Sequence, residues 1–179
     1  MERLAERLIR LGYSGLFLRP PPAVRALWQE KGMPEALAAL AADAAQPAAG
    51  RFLAAEAVAD RSGALPAVPP ADLAEAYATV LHQSVVADMW GLPGAPHTPP
   101  ARHLLALGEA AAAAMRPLLQ DDSAIDYGGS EEATLAYQAR WRVKDLAASF
   151  LAAIRGEAFD AGAPAPARDT AIARMIAAP

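Results

Sequence analysis

Chemistry-bearing side chains crowd one stretch of this chain. Asp121, Asp122, Asp126, Glu131 and Glu132 lie around the turn Tyr127-Gly128-Gly129, with Arg140, Arg142 and Lys144 following. Carboxylates gathered on a flexible turn are the oxygen donors that a hard divalent cation takes, so these five acids are the metal-ligating candidates. With a nearby histidine they would serve a small hydrolase-like or metal-dependent enzyme. The spacing is not that of an EF-hand loop, which needs alternating Asp or Asn, a central Gly and a closing Glu. A simpler account is local: Glu131 and Glu132 fall in the first turn of an expected helix, where the dipole favours negative charge, and Asp122 or Ser130 fits a helix cap. Gly128-Gly129-Ser130 at that helix start has the form of an anion cradle, but the two carboxylates that follow repel phosphate.

Other routes to catalysis are thinly supplied. His82, His97 and His103 show neither H-x-x-x-H nor H-E-x-x-H spacing. None of Ser14, Ser62, Ser84, Ser123, Ser130 and Ser149 sits in G-x-S-x-G, and no phosphate-binding or dinucleotide glycine pattern occurs. The chain has no cysteine, which removes disulfides, iron–sulfur clusters and thiol nucleophiles. Any catalysis therefore rests on Asp, Glu, His and Arg, and no cofactor is expected. For partner binding the candidates are Trp90, Leu92, Tyr127 and Trp141. Tryptophan is enriched at interface hot spots, although in a chain with 6% aromatic residues it also fills gaps that alanine leaves in a core.

The elements that must position these groups are dictated by composition. Of 179 residues 54% are apolar, and 48 are alanine. Alanine has the highest helix propensity but buries little surface, so the chain favours helices packed closely through small contacts. The net charge of −4 is unevenly spread: +3 over residues 1–31, −9 over 32–135 and +2 over 136–179. An extended phosphate-tracking surface, and with it nucleic acid as a partner, does not fit the acidic middle. No run approaches the ~18 apolar residues of a membrane span. The apolar stretch Leu11 to Leu18 is interrupted by Gly12 and Gly15 and does not read as a signal peptide. The cytoplasm is favoured over a processed periplasmic or secreted form.

Helical periodicity predicts segments over Glu2–Leu11, Ala23–Lys31, Pro34–Ala44 and Pro47–Asp60, divided by Gly12, Gly32-Met33-Pro34 and Pro47. The connector 61–70 is proline-rich. An amphipathic helix from Pro70 to about Trp90 follows, its stripe made by Leu73, Tyr77, Val80 and Ser84 with Leu81 and Val85 beside it. The loop Trp90 to Pro100 holds four prolines and two glycines. Beyond it come Ala101–Leu107, Glu109–Gln120 with a kink at Pro117, a long helical stretch from Glu131 to Gly156, and Arg168–Ala178. No segment alternates as a strand would.

Two stretches resemble each other and the HEAT family of helical hairpins. PEALAALAADAAQPAAGRFLAAEAVAD (34–60) is one; LLALGEAAAAAMRPLLQDD (104–122) resumed by RVKDLAASFLAAI (142–154) is the other. The resemblance sets Arg51, Leu53, Ala54 and Ala55 against Lys144, Leu146, Ala147 and Ala148. It departs from the family in the distance from Asp43 to Arg51 and in the insertion of about twenty residues after Asp122, where solenoids need at least ~3 repeats. WGLPG, YGGSEEAT and RVKDLAA are also similar to segments of uncharacterised bacterial proteins. The resemblance implies stacked hairpins and a groove between helices. The expectation is a single all-α domain, 1–179, as a HEAT-like solenoid fragment or irregular bundle, with lobes 1–89 and 101–179 about the loop 90–100. Its expected function is a non-catalytic protein- or peptide-binding adaptor module.

Overall fold

The computed structural model describes residues Arg3 to Ala178; Glu2, where the first helix was expected to start, lies outside them. Among the described residues there are ten α-helices and no strand, the outcome the alanine-rich composition calls for. They are α1 (Leu4–Tyr13), α2 (Ala23–Trp28), α3 (Met33–Ala42), α4 (Ala48–Ser62), α5 (Pro70–Gln83), α6 (Pro99–Ala106), α7 (Glu109–Met115), α8 (Ser130–Ala139), α9 (Val143–Arg155) and α10 (Ala165–Ala177). The chain forms two compact units, Met1–Val80 and Leu81–Pro179, divided within α5. The proline-rich loop 90–100 lies inside the second unit.

In the first unit α4 is the axis. Every residue from Gly50 to Ala59 is buried, so this helix is apolar nearly all round, and α1, α2 and α3 pack on it. Two charged groups inside that run are hydrogen-bonded locally. Arg51 donates from Nε to the Ala41 carbonyl at the end of α3 (3.3 Å) and from Nη2 to the Asp72 carbonyl (2.8 Å). The Tyr77 hydroxyl donates to the Glu56 carboxylate, and Phe52 meets the Tyr77 ring edge-on at 4.8 Å. Tyr77 is pushed well above its ordinary pKa by burial first and by the Glu56 charge second. Between the first two expected helices, Ser14–Leu18 forms a wide helical turn, entered through Gly12 at φ +63°.

In the second unit α9 is the axis, buried at Val143 and from Asp145 to Ala152. Trp90 is fully buried, edge-on to Phe150 at 6.4 Å, and its indole N–H donates to Ser84 Oγ at 3.2 Å. Pro117 ends α7 early, and Arg116–Gln120 winds on as a tighter turn.

Two expected helices are shorter than predicted, for one reason. Segments 85–87, 123–126 and 141–143 run side by side. Asp126 N–H donates to Val85 O (3.0 Å) and Ala87 N–H to Asp126 O (2.8 Å); Ile125 N–H donates to Trp141 O (3.2 Å) and Val143 N–H to Ser123 O (2.9 Å). These bonds engage backbone groups that a helix would have used internally. Consequently α5 stops at Gln83, leaving Val85 exposed where the stripe placed it on the packed side, and the stretch 131–156 breaks into α8 and α9 at Arg140–Arg142.

Candidate functional site

The break between α8 and α9 is held open by buried charge. Asp145, in the first turn of α9, has no exposure. Its carboxylate accepts from Arg142 Nε (2.9 Å) and Nη2 (3.1 Å), from the Arg142 backbone N–H (2.9 Å) and from Arg168 Nε (2.9 Å). Arg168, 1% exposed on α10, also donates to the Ala139 carbonyl (2.8 Å) and the Ala163 carbonyl (2.6 Å). One guanidinium thus satisfies the free carbonyl end of α8 and ties it to α9 and to the loop before α10. Around this core, Asp169 pairs with Arg142 (2.8 Å) and Lys144 (3.0 Å), and Asp122 with Lys144 (2.6 Å). Hydrogen bonds from Arg142 and then Lys144 hold Asp169 below the ordinary carboxylate range, while the Asp145 carboxylate drives Arg142 upward.

Held at its C-terminal end, α8 covers little: Ala136 is its one buried residue. A groove of about 450 Å³ runs between α8 and the bridged segments, lined by Ile125, Tyr127, Ala133, Ala136, Tyr137 and Trp141, with Asp126, Arg140 and Arg142 at its polar edge. Tyr137 is 85% exposed. Arg140 occupies the left-handed position after the helix (φ +51°), where glycine would sit without strain.

A second, smaller cleft of about 240 Å³ lies by the N-terminal end of α8, lined by Asp88, Gly91, Leu92, His97, Tyr127, Gly129 and Glu132. Leu92-Pro93-Gly94-Ala95 forms a tight turn, with Ala95 N–H on Leu92 O (2.8 Å) and Gly94 at φ +87°, the conformation a proline-glycine pair favours. His97 Nδ1 lies 2.8 Å from the Ala95 carbonyl. A carbonyl only accepts, so Nδ1 carries the proton of that bond. The Tyr127 hydroxyl donates to the Gly91 carbonyl (2.9 Å), and Gly128 N–H to Asp88 Oδ1 (2.8 Å). Burial first, then the Asp88 charge, raises the Tyr127 pKa, so its proton stays in that bond. The paired glycines let both carboxylate ends lie close against the turn. A Cβ on Gly128 would stand 2.8 Å from Asp88 Oδ2, and one on Gly129 would overlap Glu132 Oε2. WGLPG and YGGSEE therefore meet in space, with His97 supplied by the same proline-rich loop.

The expected metal cluster is not assembled. Asp121 bonds His82 Nδ1 (2.7 Å) and Ser123 N–H (2.9 Å), Asp122 is paired with Lys144, Asp126 edges the groove and Glu132 lines the cleft. Glu131 stands in the first turn of α8. Among the described residues no three His, Asp or Glu side chains are close enough to hold a metal ion. Backbone pairing of residues 123–126 spreads the acids along an extended segment. Of the partner-binding candidates, Leu92 and Tyr127 line the cleft and Tyr127 and Trp141 the groove, whereas Trp90 is core. Tyr137 and Asp88 were missed, and Arg140 was read only as one of the basic residues following the turn. The signal for Asp88 was its place just before WGLPG; nothing local marked Tyr137. Among the described residues no helix is long and apolar enough to cross a membrane.

Comparison with known proteins gives no relative: no family model, curated protein or solved structure matches this chain.

Proposed function

We propose that the protein is a non-catalytic protein- or peptide-binding module whose docking surface is the groove between α8 and the segments 124–126 and 140–142. The observation that carries this is the groove itself: an apolar slot beside an almost fully exposed tyrosine, on a helix with a single buried residue. Tyr137, 85% exposed, adds aromatic surface directly beside that slot, where a partner can cover both together. Ala133 and Ala136 make one wall shallow, so a partner side chain can approach the helix backbone closely. The HEAT resemblance fits the same reading as a scaffold, since α3 packs on α4 and α7 on α9 at the two stretches that carry it.

The test is selection of displayed random peptides on the whole chain, counter-selected on a Tyr137→Asp variant. Peptides rich in apolar anchors that bind the parent and not the variant support the groove. Selection of nothing, or of peptides indifferent to Tyr137, overturns it.

A further inference from the structure

We infer that the segment docking in the groove presents one carboxylate beside its apolar anchor and that Arg140 binds it, a step that rests on the groove being the docking surface. Seven glycines of this chain take a positive φ, among them Gly63 and Gly156, which end α4 and α9 in the left-handed conformation. Among the described residues Arg140 is the one non-glycine to do so (φ +51°), at the equivalent position after α8. Its Cβ makes that backbone costlier than glycine would, and strain kept at the edge of a cavity points to a use for the side chain.

Two structural uses are already met by other residues. A cation beside a helix C-terminus suits the dipole and the free carbonyls, but Arg168 serves that end of α8, donating to the Ala139 (2.8 Å) and Arg140 (3.4 Å) carbonyls. Ion pairing across the break between α8 and α9 is carried by Arg142, which faces Asp122, Asp145 and Asp169. The Arg140 side chain is exposed and makes neither a hydrogen bond nor an ion pair with any described residue. Of the two arginines lining this groove of about 450 Å³, it is the uncommitted one.

An apolar anchor seated among Ile125, Tyr127, Tyr137 and Trp141 brings its chain neighbours to the groove's edge. There a guanidinium takes a carboxylate through two parallel N–H donors, and covering the slot strengthens the pair by removing water. Asp126 lines the same edge and repels further acids. The match is therefore a single carboxylate, not an acidic run or a nucleic-acid backbone.

Three displayed peptide libraries test this on the whole chain. Each peptide carries a fixed central Phe and, within four residues of it, one Glu, one Gln or one Lys according to the library, all other positions being uncharged. The Glu library should be enriched about fivefold over the Gln library, with the Lys library behind both. In Arg140→Gly that preference should vanish, while capture is still lost when Tyr137→Asp is added; Arg140→Lys should keep part of the preference. Glycine suits this backbone, so a melting temperature no lower than the parent's shows that the lost preference is not unfolding. Equal enrichment of the three libraries, a lead for Lys, or a preference that survives Arg140→Gly overturns the inference and leaves the groove as docking surface. Enrichment of none, or capture indifferent to Tyr137, overturns both. Dimerisation of the chain in sedimentation, abolished by Tyr137→Asp, makes a second copy the occupant and overturns the inference likewise.

Discussion

Asp145 carries the largest single-residue consequence. Its carboxylate is fully buried between two guanidinium groups, so Asp145→Ala leaves Arg168 buried without its counter-charge. A loss of about 3–5 kcal/mol is expected, measurable as a fall in the urea midpoint of unfolding. Asp169 governs an acid limb. Its pKa is held below the ordinary 3.8 by Arg142 and Lys144, so its contribution is complete above 3.8 and lost as pH falls through the lower folded value. Asp169→Asn should therefore reduce the slope of stability against pH on the acid side of 3.8, read from urea midpoints across that range, and leave the slope near neutrality unchanged. At this scale the sequence was legible where a residue acts through neighbours in the chain. Glu131 and Glu132 fall in a first helical turn as expected. It was illegible where the partner is distant: nothing near Asp145 announces Arg168, and the carboxylates read as a metal site are separated by pairings with His82 and Lys144.

At the scale of elements, α8 has the fewest buried residues of the ten helices. With only Ala136 buried, its backbone amides should exchange with solvent much faster than those of α9, checked residue by residue by hydrogen-exchange NMR. The left-handed Arg140 gives a second expectation. Arg140→Gly removes backbone strain of roughly 1 kcal/mol and should raise the melting temperature by a few degrees in a thermal scan. Most helices were readable from proline and glycine punctuation to within a few residues. The helix break at 140–142 was not, because Arg-Trp-Arg has no breaker residue. What ends the helix is the pairing of Ile125 and Ser123 with Trp141 and Val143, together with the Asp145–Arg168 pair, contacts that periodicity cannot carry. Val85 and Val86 gave a faint hint, since branched side chains favour extended backbone.

For the whole molecule, alanine-rich composition led directly to an all-α architecture, and the larger side chains settled into two cores, around α4 and around α9. The expected joint at residues 90–100 instead builds the cleft, since its prolines and glycines shape a turn around buried Trp90. Each unit also encloses one arginine, Arg51 at 4% exposure in the first and Arg168 at 1% in the second. Trypsin must draw several residues around an arginine into extended form, so neither site is cut until its own unit opens. The chain thus carries an internal clock for each half. Cleavage after Arg51 and after Arg168, timed by mass spectrometry in rising urea, reads the opening free energy of the two units separately. Coincident urea dependence would mean that they open as one cooperative body.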